Sequence, residues 1–127
     1  MAHTIFAKAI LSGEELLMFG DGEQSRGFTY VSDIVDATLS AAYGDVVGET
    51  FNIGGGVTAT MNEVVRLLEK ITGKKAKVRY VESKKEDARH TRPDISKAQR
   101  MLNFRPKVGL EEGLVEVVRS VKEFYNL

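Results

Sequence analysis

The segment from Leu16 to Val31 constrains this chain more than any other. Leu16, Leu17, Met18 and Phe19 form an apolar run that stops at Gly20. Gly20, Asp21 and Gly22 supply residue types that tolerate positive φ and tight reversal. Phe28, Tyr30 and Val31 resume a β-favouring run. The pattern predicts two short strands, about Leu16–Phe19 and about Gly27–Val31, joined by a polar turn. Arg26 stands between them, and a guanidinium at a strand edge suits two-point phosphate binding. An arginine on a turn can also be simply solvated. These residues alone leave both readings open.

Around this segment the chain alternates helices and strands. A helix over residues 3–12 places Ile5, Phe6, Ala9 and Ile10 on one face, with Gly13 as its cap. Ser32 is suited to cap a helix from Asp33 to Tyr43, whose apolar stripe is Ile34, Val35, Thr38, Leu39 and Ala42. Thr50–Ile53 reads as a short strand running into three glycines. Thr60-Met61-Asn62-Glu63 is a capping box before a helix carrying Val64, Val65, Leu67, Leu68 and Ile71, closed by Gly73. Ala76–Glu82 reads as a strand and 83–93 as a charged loop. Asp94 opens a helix to about Asn103, with Ile95, Ala98, Met101 and Leu102 inward. The last helix runs from about Leu110 to Tyr125, with Leu114, Val117, Val118, Val121 and Tyr125 at helical spacing. The order is α-β-β-α-β-α-β-α-α, an α/β pattern without a linker or repeat.

Composition narrows the function. Eighteen acidic and eighteen basic residues cancel, which removes the charge footprint of a nucleic-acid binder. The absence of cysteine excludes a disulfide framework and suits a cytoplasmic setting. No apolar run reaches membrane-spanning length. His3 and His90 lack partners at metal-ligand spacing and read as surface residues, so no metal site is expected. Gly54, Gly56 and Ala59 formally fit a G-x-G-x-x-A dinucleotide fingerprint, with Glu82 at the distance of a ribose ligand. The capping box at Thr60 argues against it, because the helix starts after the glycines and leaves them in a loop.

The wording of the central segment adds a further inference. FGDGEQSRGFTYVSDIVDA resembles the F-G-D-G-x-Q-x-R-D-F-x-Y-V-x-D-V segment of NAD-dependent nucleotide-sugar epimerases and dehydratases. These are extended short-chain dehydrogenases/reductases, with UDP-glucose 4-epimerase as a familiar member. The resemblance continues through Phe51-Asn52-Ile53-Gly54-Gly55-Gly56, Asp94-Ile95-Ser96-Lys97-Ala98 and Pro106-Lys107-Val108-Gly109-Leu110-Glu111-Glu112-Gly113-Leu114. It implies that residues 1–127 are a partial α/β domain, the C-terminal part that holds the nucleotide-sugar. By the same resemblance Arg26 contacts the diphosphate. Lys84 and Asp87 match an Arg and an Asp that reach the diphosphate and ribose. Arg89 can supply the guanidinium that Lys84 lacks; a solvated charged loop is the alternative. Leu17 and Phe19 lie beside the base, or serve only the core. Gly27 departs from the pattern, which has Asp, and is expected to leave Arg26 less well held.

The resemblance also marks what these residues lack. The family's hydride chemistry uses an upstream Gly-rich NAD loop and a Tyr-x-x-x-Lys pair. Tyr80 and Lys84 match that spacing, but on a predicted strand, and are rejected as catalytic. The chain is therefore expected to carry no catalytic group, to bind no NAD by itself and to be inactive alone, as a truncated or short reading frame. The parent activity implied is nucleotide-sugar epimerisation; a dehydratase or reductase, or a non-enzymatic module pairing with a separate NAD-binding subunit, stays open. Uncovered apolar groups on Phe51–Ile53 and on the Ile34–Ala42 helix lead to an expectation of a homo-oligomer, unless an N-terminal domain covers them.

Overall fold

The structure, a computed structural model, describes residues 2–82 and 88–127. Helix α1 (Ala2–Ser12) buries Phe6, Ala7, Ala9, Ile10 and Leu11, and Gly13 follows it at φ +69°. Ile5, expected on that inward face, is 64% exposed. The buried face is the one that meets helices α3 (Met61–Thr72) and α5 (Leu110–Tyr125), and Ile5 looks instead into the cleft described below.

Strand β1 (Glu15–Phe19) alternates strictly, with Leu16 and Met18 buried and Leu17 and Phe19 on the opposite face. A period of two is what a one-sided strand requires. It pairs in parallel with β4 (Lys77–Val81), from Glu15 opposite Lys77 to Phe19 opposite Val81. Strand β2 (Ser25–Phe28) belongs to a second sheet. It runs antiparallel to β3 (Val57–Thr60) and parallel to the two-residue β5 (His90–Thr91). The Gly-rich turn thus hands the chain from one sheet to another.

Three local expectations are corrected. Tyr30 and Val31 are not strand: the Tyr30 carbonyl accepts the amides of Asp33 and Ile34, and helix α2 (Val31–Tyr43) starts before Ser32 without a side-chain cap. Thr50–Ile53 forms no strand. The Gly55 backbone lies against the Phe28 carbonyl too closely for any Cβ, and its amide donates to Thr29 Oγ1 at 2.7 Å. Gly55 therefore packs on the end of β2, and the pairing with β2 begins only at Val57. The α2 stripe is the third: Ile34, Val35 and Leu39 are exposed, whereas Asp33 and Ala37 are buried.

Helix α3 begins as expected. Thr60 Oγ1 accepts the Glu63 amide at 3.1 Å, Glu63 Oε2 accepts the Thr60 amide at 2.7 Å, and Gly73 closes the helix at φ +69°. Helix α4 (Ser96–Leu102) starts where Asp94 Oδ1 accepts the Ser96 amide at 2.9 Å. Ala98 is buried there, but Met101, expected inward, is exposed. Helix α5 has the bounds expected from sequence.

The main core joins α1, α3 and α5 to the inner face of β1, with Ile10, Leu16, Met18 and Leu68 almost fully buried. Each such side chain contributes about 1.5–3 kcal/mol. A smaller core gathers Ala37, Ala98 and Phe104, with Phe51 and Ile53 packed against it. Phe51 and Ile53 are therefore half-buried within their own chain, contrary to the expectation of an uncovered edge. No helix among the described residues is long and apolar enough to cross a membrane.

Candidate functional site

The turn between β1 and β2 is a built object. Gly20 and Gly22 take φ +71° and +77°, a region that disfavours residues with a Cβ. Gln24 Nε2 donates to the Phe19 carbonyl at 2.7 Å, and the Gly20 amide donates to Val81 of β4 at 2.8 Å. Asn62 clamps the turn from the first turn of α3. Its backbone amide donates to the Gly22 carbonyl at 3.0 Å. Its Nδ2 donates to the Asp21 carbonyl at 3.0 Å and to Glu23 Oε1 at 2.6 Å. Tyr80 then donates its hydroxyl to Asn62 Oδ1 at 3.2 Å. Sequence reasoning missed Asn62, which has no local signature beyond lying inside the capping box.

Beside this turn opens a cleft of about 1230 Å³, bounded by α1, the outward face of β1, β2 and the start of α2. Leu17, Phe19 and Arg26 line it together with Ile5, Val31 and Ile34. The structure therefore brings three of the sequence-predicted residues to one cleft. Arg26 is half-buried, and its Nη1 donates to the Ser25 carbonyl at 2.8 Å and to the Arg89 carbonyl at 3.4 Å. Those two carbonyls orient the guanidinium without an Asp at position 27.

Arg89 lies next to Arg26 by backbone, but its side chain turns away. Its Nη2 donates to Asp21 Oδ2 at 2.9 Å in an exposed ion pair. Asp21 also accepts the Glu23 amide at 2.9 Å on Oδ1. That amide and the Arg89 guanidinium hold its carboxyl below the usual carboxylate range. Lys84 and Asp87 lie outside the described residues.

One of the two histidines departs from the sequence reading. His3 is half-buried on the cleft wall, edge-on to Phe28 at 6.2 Å between ring centres, and burial lowers its pKa. His90 is exposed, as expected, and its Nδ1 lies 2.8 Å from Ser25 Oγ. Among the described residues no carboxylate hydrogen-bonds His90 to orient it as a general base. No group of three potential metal ligands occurs among the described residues. The Gly54–Ala59 segment runs from a loop into β3, not from a strand into a helix, so it does not build the phosphate turn of a dinucleotide site. The wall can take an anion at Arg26 and an apolar ring against Leu17 and Phe19.

The sequence profile of the GDP-mannose 4,6 dehydratase family matches residues 2–117. The chain belongs to this family. The family lies within the extended short-chain dehydrogenases/reductases, and the expected α/β partial domain is borne out. Among its relatives is the UDP-glucuronate 4-epimerase of Thermodesulfobacterium geofontis, 40% identical over 96% of this chain and 38% of that protein. Another is the UDP-N-acetyl-alpha-D-glucosaminuronate decarboxylase of Bacillus cytotoxicus, 37% identical over 95% of this chain and 40% of that protein. A solved family structure, the UDP-glucuronic acid 4-epimerase of Bacillus cereus in complex with UDP-glucuronic acid and NAD, superposes with a TM-score of 0.94. It is 36% identical, covering 98% of this chain and 40% of that one. The 127 residues thus span about two fifths of each of these three proteins.

Proposed function

We propose that this chain is the nucleotide-sugar-binding portion of an NAD-dependent nucleotide-sugar 4-epimerase. Arg26 binds the diphosphate, and Leu17 and Phe19 face the base. Lys84, Asp87 and Arg89 act on the diphosphate and ribose. The observation that carries this reading is Arg26 on the cleft wall, with its guanidinium already oriented by the Ser25 and Arg89 carbonyls. Fixing a long side chain before the ligand arrives lowers the entropy lost on binding. The family relatives support the substrate class, since the Bacillus cereus neighbour is in complex with UDP-glucuronic acid. The same binding role serves a decarboxylase or dehydratase on this scaffold.

In this reading the glycines at 54–56 are not a dinucleotide turn, because the Gly55 backbone lies against the Phe28 carbonyl and the segment leads into strand β3. In this reading the dinucleotide site and the catalytic acid/base belong to another part of the enzyme or to a partner chain. The exposed apolar residues of α2 favour a partner surface, taken by a second copy when the 127 residues stand alone.

The test is calorimetric titration of UDP into the full 127-residue chain. Arg26→Ala is expected to weaken binding by about 1.5–3 kcal/mol, the range for a hydrogen bond to a charged group. Equal affinity in the two chains would return Arg26 to a solvated surface role.

A further inference from the structure

Arg89 is tied at two ends. Its carbonyl accepts the Ser25 amide at 2.9 Å and lies 3.4 Å from Arg26 Nη1. The next two residues, His90 and Thr91, pair in register with Ser25 and Arg26. The backbone from which the Arg89 side chain springs is therefore beside the Arg26 guanidinium. The side chain itself points to the turn, where Nη2 meets Asp21 Oδ2 at 2.9 Å.

Asp21 is a fixed acceptor, held by the Glu23 amide on Oδ1 and by Asn62 Nδ2 on its carbonyl. The pair is accessible at both ends, with side-chain exposures of 63% and 54%. Exposed ion pairs of this kind are weak and screened. A diphosphate presents more charge and more acceptor oxygens than one carboxylate, and two guanidinium groups on one anion bind it more strongly than one. The geometry thus gives Arg89 two mutually exclusive acceptors, one fixed in the protein and one supplied by the ligand.

We propose that Asp21 sets the affinity of the diphosphate site by competing for Arg89, whose guanidinium moves from Asp21 Oδ2 to the diphosphate held at Arg26. This rests on the reading of Arg26 given above. Asp21 is then a positioning residue that acts through Arg89 and touches no ligand atom.

A double-mutant cycle read by UDP calorimetry on the full chain tests it. Asp21→Asn keeps an oxygen for the Glu23 amide, so the turn and the thermal melt should be unchanged; Asp21→Ser, which also keeps an acceptor, replaces it if the melt falls. Asp21→Asn is expected to tighten UDP binding by about two- to fivefold, the worth of an exposed ion pair. Arg89→Ala is expected to weaken it by at least about fivefold. In the Arg89→Ala background the Asp21→Asn effect should shrink below about 1.5-fold, because the coupled partner is gone. An Asp21→Asn gain that persists without Arg89 means simple charge repulsion and overturns the proposal. So does an unchanged affinity in either single variant. If the parent chain binds no UDP, or Arg26→Ala binds it as the parent does, the site reading fails as well. If Arg26→Ala weakens binding and the cycle shows no coupling, only the role of Asp21 falls.

Discussion

Pro93 is wedged between two glycines from distant segments. A Cβ at Gly27 would stand 2.9 Å from Pro93 Cδ, and one at Gly54 would stand 3.0 Å from Pro93 Cβ and closer still to its Cγ. A proline ring cannot swing aside as a flexible side chain can, so the two glycines and the proline form one packing unit. It fixes the strand of Arg26 against the segment that follows Arg89. Gly27→Asp, which installs the residue expected there from the resemblance, should lower the unfolding free energy by about 1–3 kcal/mol through overpacking. Adding Pro93→Ala to the same chain should recover most of the loss. Urea unfolding of the three chains checks this, and a double variant no better than Gly27→Asp alone would place the strain elsewhere. The sequence marked Gly27 as unusual, but the cause was not legible, because the contact joins residues that no local pattern relates.

At the scale of elements, Asp33 ties the start of α2 to the entry of α5. It is 1% exposed; Oδ1 accepts the Lys107 amide at 3.0 Å and Oδ2 accepts the Val108 amide at 3.3 Å. Lys107 Nζ reaches Asp36 instead, at 2.6 Å, and that carboxylate raises the lysine pKa. Asp33→Ala would leave two backbone donors without acceptors, and a loss of about 3 kcal/mol in chemical denaturation is expected. Asp36→Ala, which removes only an exposed pair, should change little. Equal effects of the two variants would show that burial of Asp33 carries no special weight. From sequence, Asp33 was visible as the start of a predicted helix and as the Asp of the matched V-x-D-V segment, without its partners. Helices α3 and α5 were legible nearly to the residue, because a capping box and an apolar period are local. The strand at Val57–Thr60 was not, since the ladder partner of Ala59 is Arg26 and only tertiary pairing chooses it. Likewise Arg26, Leu17 and Phe19 could be singled out one by one, whereas the Asn62 clamp and the Arg89–Asp21 pair needed the fold to bring their partners together.

Across the whole molecule, the outer face of α2 exposes Val31, Ile34, Val35 and Leu39, next to the apolar wall of the cleft. A face of this kind tends to be covered by another protein surface. Purified alone, the chain is expected to form a two-fold dimer through it, burying more than about 1,000 Å². Phe51 and Ile53 stay out of that interface because they pack on Ala37, Ala98 and Phe104. Val35→Glu combined with Leu39→Glu should yield monomers with an unchanged melt. A parent chain that sediments as a monomer at high micromolar concentration would refute the dimer. The parallel pairing of β1 with β4 has a consequence of another kind, in time. Between Phe19 and Lys77 the chain must make β2, α2, β3 and α3 before β1 meets its neighbour. Helices α1 and α3 can form early from local contacts, but closing the first sheet waits for a distant partner, and such steps are slow. During synthesis Leu16–Phe19 thus leaves the ribosome as an apolar strand without a ladder, and its safe passage depends on how soon Lys77–Val81 follows.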